Sequence, residues 1–134
     1  MSGDIKAANW LAARDFQKRL MSCGWKTPDT YDNCYSAPIA GPAVYMFLSY
    51  GSDARDGLPD FDRAIVAYVG MSARLCARWK AHLILREIER RSRYLQRWFR
   101  PTPESDLRHE ELRLIQEYDP PWNIQGRKRG VLLQ

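Results

Sequence analysis

Two apolar runs joined by one polar stretch constrain this 134-residue chain more than any other feature. Ala43 to Tyr50 carries Val44, Tyr45, Met46, Phe47 and Leu48, and Ala64 to Val69 carries Ile65, Val66 and Tyr68. Both runs are short and rich in the β-branched and aromatic residues that strands favour. The residues between them, Gly51 to Asp62, hold Gly, Asp, Ser and Pro59 and read as a polar loop. The spacing predicts an antiparallel hairpin with a long tip.

The remaining segments supply helices and one more strand. Ile5 to Cys23 predicts an amphipathic helix, with Ile5, Ala8, Leu11, Ala12, Phe16 and Leu20 on one face and Gly24 as its stop. Lys26 to Pro42, with three prolines, reads as an irregular connector. Gly70 closes the second strand, and Ser72 is a plausible N-cap for one long helix over Ala73 to Arg93. That helix has an apolar stripe of Leu75, Trp79, Leu83, Ile84 and Ile88. Its other face is basic: Arg74, Arg78, Lys80, Arg86, Arg90, Arg91 and Arg93. Tyr94 to Phe99 is a third strand candidate. Thr102-Pro103 marks a helix start, and Asp119-Pro120-Pro121 ends that helix after Tyr118. The expected fold class is α/β (α+β), a small three-stranded antiparallel sheet flanked by helices. Residues 1–37 form an N-terminal helical extension and connector, 38–126 the main domain, and 127–134 a basic tail.

Composition narrows the function classes. At 45% hydrophobic and 12% aromatic residues the chain suits one folded domain. No apolar run approaches membrane-spanning length, and Met1 to Lys6 does not resemble a secretory leader. Cys23, Cys34 and Cys76 are odd in number and contain no C-x-x-C, so neither a zinc site nor a closed disulfide framework is expected. A reduced, cytoplasmic setting fits. A net charge of +5 suits a polyanionic partner, and Arg127, Lys128 and Arg129 add a basic end.

Several pieces of sequence occur in a meaningful order. Ala43-Val44-Tyr45 is followed by Tyr68-Val69-Gly70, then Arg78 and His82 four residues apart on the next helix. Glu111, Leu114-Ile115, Pro120 and Asn123 come last. This set resembles the GIY-YIG nuclease family over roughly Pro42 to Gln125, and Pro120 to Gln125 resembles the end of its small phage-type stand-alone endonucleases. The resemblance implies a metal-dependent DNA endonuclease. Tyr45, Tyr68, Arg78, His82 and Glu111 would be catalytic, and Glu111 would hold one Mg²⁺ or Mn²⁺. Tyr45 is favoured as the base that activates water, with Tyr68 positioning water or phosphate. His82 can carry a proton near neutral pH. Gly70 and Asn123 would support the site. Arg74, Lys80, Arg86, Arg127 and Lys128 would bind double-stranded or branched DNA through its phosphates. Ala43 and Val44 replace the glycine and isoleucine of the first signature. Met71 stands where many members carry lysine, which leaves open a binding module with weakened chemistry. The N-terminal helix is a candidate homodimer surface, and no membrane partner is expected.

Overall fold

The computed structural model describes residues 11–29, 35–52, 59–91 and 94–123. The predicted hairpin is its centre. Strands β2 (Ala43–Ser52) and β3 (Pro59–Ser72) pair antiparallel, and β4 (Leu95–Pro101) pairs antiparallel along the other edge of β2. A fourth strand, β1, is only Leu11–Ala12 and lies against Ala64 and Arg63 of β3. The sheet order is β1-β3-β2-β4, one strand more than expected. Leu11 and Ala12 fit the helical stripe, but β3 offers unpaired backbone groups at its outer edge, and pairing there wins over local helix preference. The hairpin strands also run further into the polar stretch than their side chains suggest, because ladder bonds are made by backbone.

Side-chain alternation divides the apolar residues between two faces. The first face gathers Val44, Met46, Leu48, Val66, Val69 and Trp98 under helices α1 (Ala13–Ser22) and α4 (Leu107–Tyr118). Phe16 and Leu20 of α1 are almost fully buried there, and the Phe16 ring meets Tyr118 edge-on. The apolar stripe proposed as a dimer surface is therefore covered by the chain's own sheet over these residues. The Ile5 and Ala8 part of the expected helix lies outside the described residues. The second face gathers Tyr45, Phe47, Ala67 and Phe99 beneath α2 (Leu75–Lys80) and α3 (Leu83–Arg91).

The register of the hairpin decides what meets on that second face. Tyr45 pairs with Gly70 and Phe47 with Tyr68, and then the register shifts so that Leu48 pairs with Val66. The bulge leaves Ala67 without a partner in the ladder and puts both Ala67 and Tyr68 on the second face. Tyr45 and Tyr68 thus share a face.

The long helix expected over residues 73–93 is broken. α2 ends at Lys80 and α3 begins at Leu83. Between them His82 is the N-cap of α3: its Nδ1 accepts the Leu85 N–H at 3.1 Å, three residues on. Ser72 does not cap α2 but accepts the Arg74 N–H at 2.9 Å. Thr102 likewise bonds the Arg100 carbonyl instead of starting a helix, and a single 3-10 turn at Glu104–Asp106 precedes α4. Asp119, in the left-handed region at φ 46°, stops α4 where the Asp-Pro-Pro sequence predicted. No helix among the described residues is long and apolar enough to cross a membrane.

Candidate active site

Tyr45 is the buried centre of the second face. Its ring lies directly over Gly70 on the neighbouring strand. A Cβ at Gly70 would stand 2.4 Å from Tyr45 Cζ and 2.5 Å from its hydroxyl oxygen, well inside van der Waals contact. The glycine of Tyr68-Val69-Gly70 is there because a phenol needs the room. Gly70→Ala is expected to push the ring off this position and to destabilise the protein by about 1–3 kcal/mol, the usual cost of overpacking. Urea unfolding checks it, and an unchanged midpoint would show that the ring is not held.

What holds the ring is His82. The Tyr45 hydroxyl and His82 Nε2 are 2.8 Å apart. Nδ1 already accepts the Leu85 amide, so the proton of the neutral imidazole sits on Nε2, and Nε2–H donates to the Tyr45 oxygen. Edge-to-face contacts with Tyr45, Phe47 and Tyr68, at ring centroid distances of 5.6, 5.3 and 5.2 Å, box the imidazole in. Burial, and then the nearby Arg78 charge, push its pKa from 6.5 down to about 4. With its pKa held this low, His82 near neutral pH is a neutral, fixed donor to Tyr45.

This shift has a sign in stability. The unfolded chain takes up a proton near pH 6.5, whereas the folded chain resists until about pH 4. Stability from His82 is complete above pH 6.5 and is lost as pH falls toward 4, by up to about 3 kcal/mol. His82→Asn keeps a capping oxygen for Leu85 but has nothing to titrate. It should unfold with a shallower pH dependence than wild type between pH 6.5 and 4. Parallel denaturation curves for the two would contradict the assignment.

Arg78 joins the two tyrosines. Its guanidinium lies close enough to both phenols to act on the titration of each. Burial raises the pKa of both phenols above the ordinary value, and Arg78 opposes that rise at each. Glu111 stands on α4 between Leu107 and Leu114, its side chain only 15% exposed. Its negative charge is felt by both phenols. Burial raises the Glu111 pKa, and its ion-pair partner Arg108, 3.6 Å away and largely exposed, lowers it.

Asn123 fastens the chain beyond α4 to the second signature strand. Its side-chain oxygen accepts the Val69 N–H at 2.7 Å, and its amide donates to the Val69 carbonyl at 2.8 Å. One side chain thereby satisfies two backbone groups at an edge that β1 is too short to cover. Met71 packs against the first face's core, away from Tyr45. Arg74, Lys80 and Arg86 are exposed on α2, α3 and the turn before them. Arg127 and Lys128 lie outside the described residues. Sequence reasoning missed Phe47 and Trp79, which pack on Tyr45 at 5.3 and 5.8 Å, and the Leu85 amide that sets the His82 tautomer. Phe47 was legible in principle, two residues from Tyr45 on the same strand face.

Comparison with protein-family models, with curated proteins and with solved structures gave no match.

Proposed function

We propose that the chain is a metal-dependent endodeoxyribonuclease of the GIY-YIG type. The observation that carries this is the meeting of Tyr45, Tyr68, Arg78 and His82 beside the second face, with the charge of Glu111, from a distant helix, felt by both phenols. Chance arrangement of strand aromatics and surface charges has no reason to interlock them.

Glu111 fits a hard divalent cation. It is a half-enclosed carboxylate whose ion-pair partner Arg108 is 3.6 Å away and largely exposed. A single carboxylate with waters and a substrate phosphate completing the shell suits Mg²⁺ or Mn²⁺. When bound, such an ion supplies Lewis-acid stabilisation of the leaving oxygen.

The chain's own residues do the rest. Arg78 presents its fork of donors to a phosphate oxygen. Tyr45, as phenolate, removes the proton from the attacking water. Hydrogen bonds from His82 Nε2–H and Arg78 favour that phenolate against the cost of burial. Tyr68, less buried than Tyr45, orients the water or phosphate. Arg74, Lys80 and Arg86 add phosphate contacts that carry affinity without reading sequence.

The same burial that organises the phenols keeps them protonated in the free chain. That favours, as a second reading, a DNA-binding module with weak chemistry. Supercoiled plasmid incubated with the protein in Mg²⁺ and in EDTA separates the two. Nicked or linear product in Mg²⁺ alone is the expected result. Binding without cutting in Mg²⁺ or Mn²⁺ would overturn the nuclease reading.

A further inference from the structure

The connector after α1 is tied to strand β4 beside the site. Lys26 and Phe99 exchange backbone hydrogen bonds, both at 2.8 Å, and the Thr27 hydroxyl donates to the Arg97 carbonyl. Asp29 then grips Arg97 at three points. Its carboxylate accepts the Arg97 backbone N–H at 2.6 Å and the guanidinium Nε and Nη2 at 3.1 and 2.9 Å. Backbone pairing along β4 is thus joined to control of one side chain.

The register shows where that side chain stands. Arg97 pairs with Phe47, and Phe99 with Tyr45, so Arg97 belongs to the second face together with the site. Its guanidinium lies over the Trp79 ring, 5.2 Å from the centroid. Trp79 in turn meets Tyr45 edge-on at 5.8 Å and Phe99 edge-on at 5.9 Å. A charge on an aromatic face has to be explained. An enclosed ion pair contributes little net stability, because lost hydration offsets its attraction. A bidentate fork does fix direction, and the direction fixed here is onto Trp79. Tyr45 needs such a wall: Gly70 gives its ring room but no side chain to hold it.

We propose that Asp29 and Arg97 are positioning residues of the site. The guanidinium, gripped by Asp29, holds the Trp79 ring, and Trp79 keeps the Tyr45 hydroxyl on His82 Nε2. The effect on reaction rate rests on the nuclease reading, since the phenol so held is the proposed base. The holding itself does not depend on cleavage.

The ring carbon that bears the Tyr45 hydroxyl reports its hydrogen bonding. In the full chain labelled with ¹³Cζ-tyrosine, that signal is assigned by its loss in Tyr45→Phe. Arg97→Met keeps the side-chain length without the guanidinium and is expected to move the Tyr45 signal while Tyr118, on the first face, stays in place. Asp29→Asn should move it in the same direction by less. Arg97→Lys keeps the charge but not the flat fork, and should move it as far as Arg97→Met. In a Trp79→Leu background, Arg97→Met should move it less than about a third as far, because the relay is already cut. An unmoved Tyr45 signal, full rescue by lysine, or an undiminished shift in the Trp79→Leu background would overturn the proposal. If Trp79→Leu does not fold, the lysine comparison decides. In plasmid cleavage, Arg97→Met should lower kcat about tenfold and leave KM within about twofold. A raised KM at unchanged kcat would make Arg97 a DNA contact and overturn the proposal. A wild-type chain that cuts no plasmid fails the nuclease reading alone, because the Tyr45 signal is read without substrate.

Discussion

Glu111→Gln is expected to reduce plasmid cleavage by about a thousandfold, a loss of about 4 kcal/mol of transition-state stabilisation, without weakening the fold. The two halves of this result come from different physics. Glutamine keeps the shape of the side chain and removes the charge that would hold a cation, so the chemistry suffers. Stability responds to burial. Burial raises the folded-state pKa of Glu111 above its unfolded value. The carboxyl's contribution to stability is then present at low pH and lost as pH rises through the folded pKa. Near neutral pH wild type carries this deficit and the glutamine variant does not. Urea unfolding at pH 7 should show equal or greater stability, and DNA binding in EDTA should be equal or tighter with one repulsive charge removed. A variant that cuts at the wild-type rate would remove Glu111 from the site. One that unfolds would make it a structural residue.

The sheet was legible because its signal is redundant. Apolar alternation, aromatic content and a polar interval all point to the β2/β3 hairpin, and the register that pairs Tyr45 with Gly70 follows from tight pairing of those runs. The elements misread are those decided by partners distant in sequence. Leu11–Ala12 becomes a strand because it pairs with Ala64 and Arg63 of β3. The break between α2 and α3 depends on an imidazole acting as a cap, and histidine is not among the residues that usually advertise one. That Tyr45, Tyr68 and His82 meet on one face could be anticipated from their order along the chain, while their electrostatics could not. The neutral state of His82 depends chiefly on burial, and its tautomer on the Leu85 amide, neither of which a linear pattern contains. Met71 looked like a loss of charge at the site. The side chain in fact belongs to the opposite face, so position 71 bears on core packing more directly than on the phenols.

Tyr45→Phe and Tyr68→Phe should then part company. Removing the Tyr45 oxygen deletes the proposed base and leaves the buried His82 Nε2–H with no acceptor at that position. Cleavage should fall by about 10²–10⁴, the usual range for a general base, and stability by about 1–3 kcal/mol for the orphaned donor. Tyr68 is partly exposed, so its loss can be made good by solvent at small structural cost. A decrease of about tenfold in rate and little change in unfolding are expected for Tyr68→Phe. The contrast follows from the register: Tyr45 stands over Gly70 and accepts from His82, whereas Tyr68 stacks on Phe47 at the edge of the same cluster. Single-turnover cleavage at saturating DNA, with urea unfolding on the same preparations, measures both quantities. If Tyr68→Phe loses more rate than Tyr45→Phe, the base is the more exposed phenol, and Tyr45 with its His82 bond becomes the group that positions it.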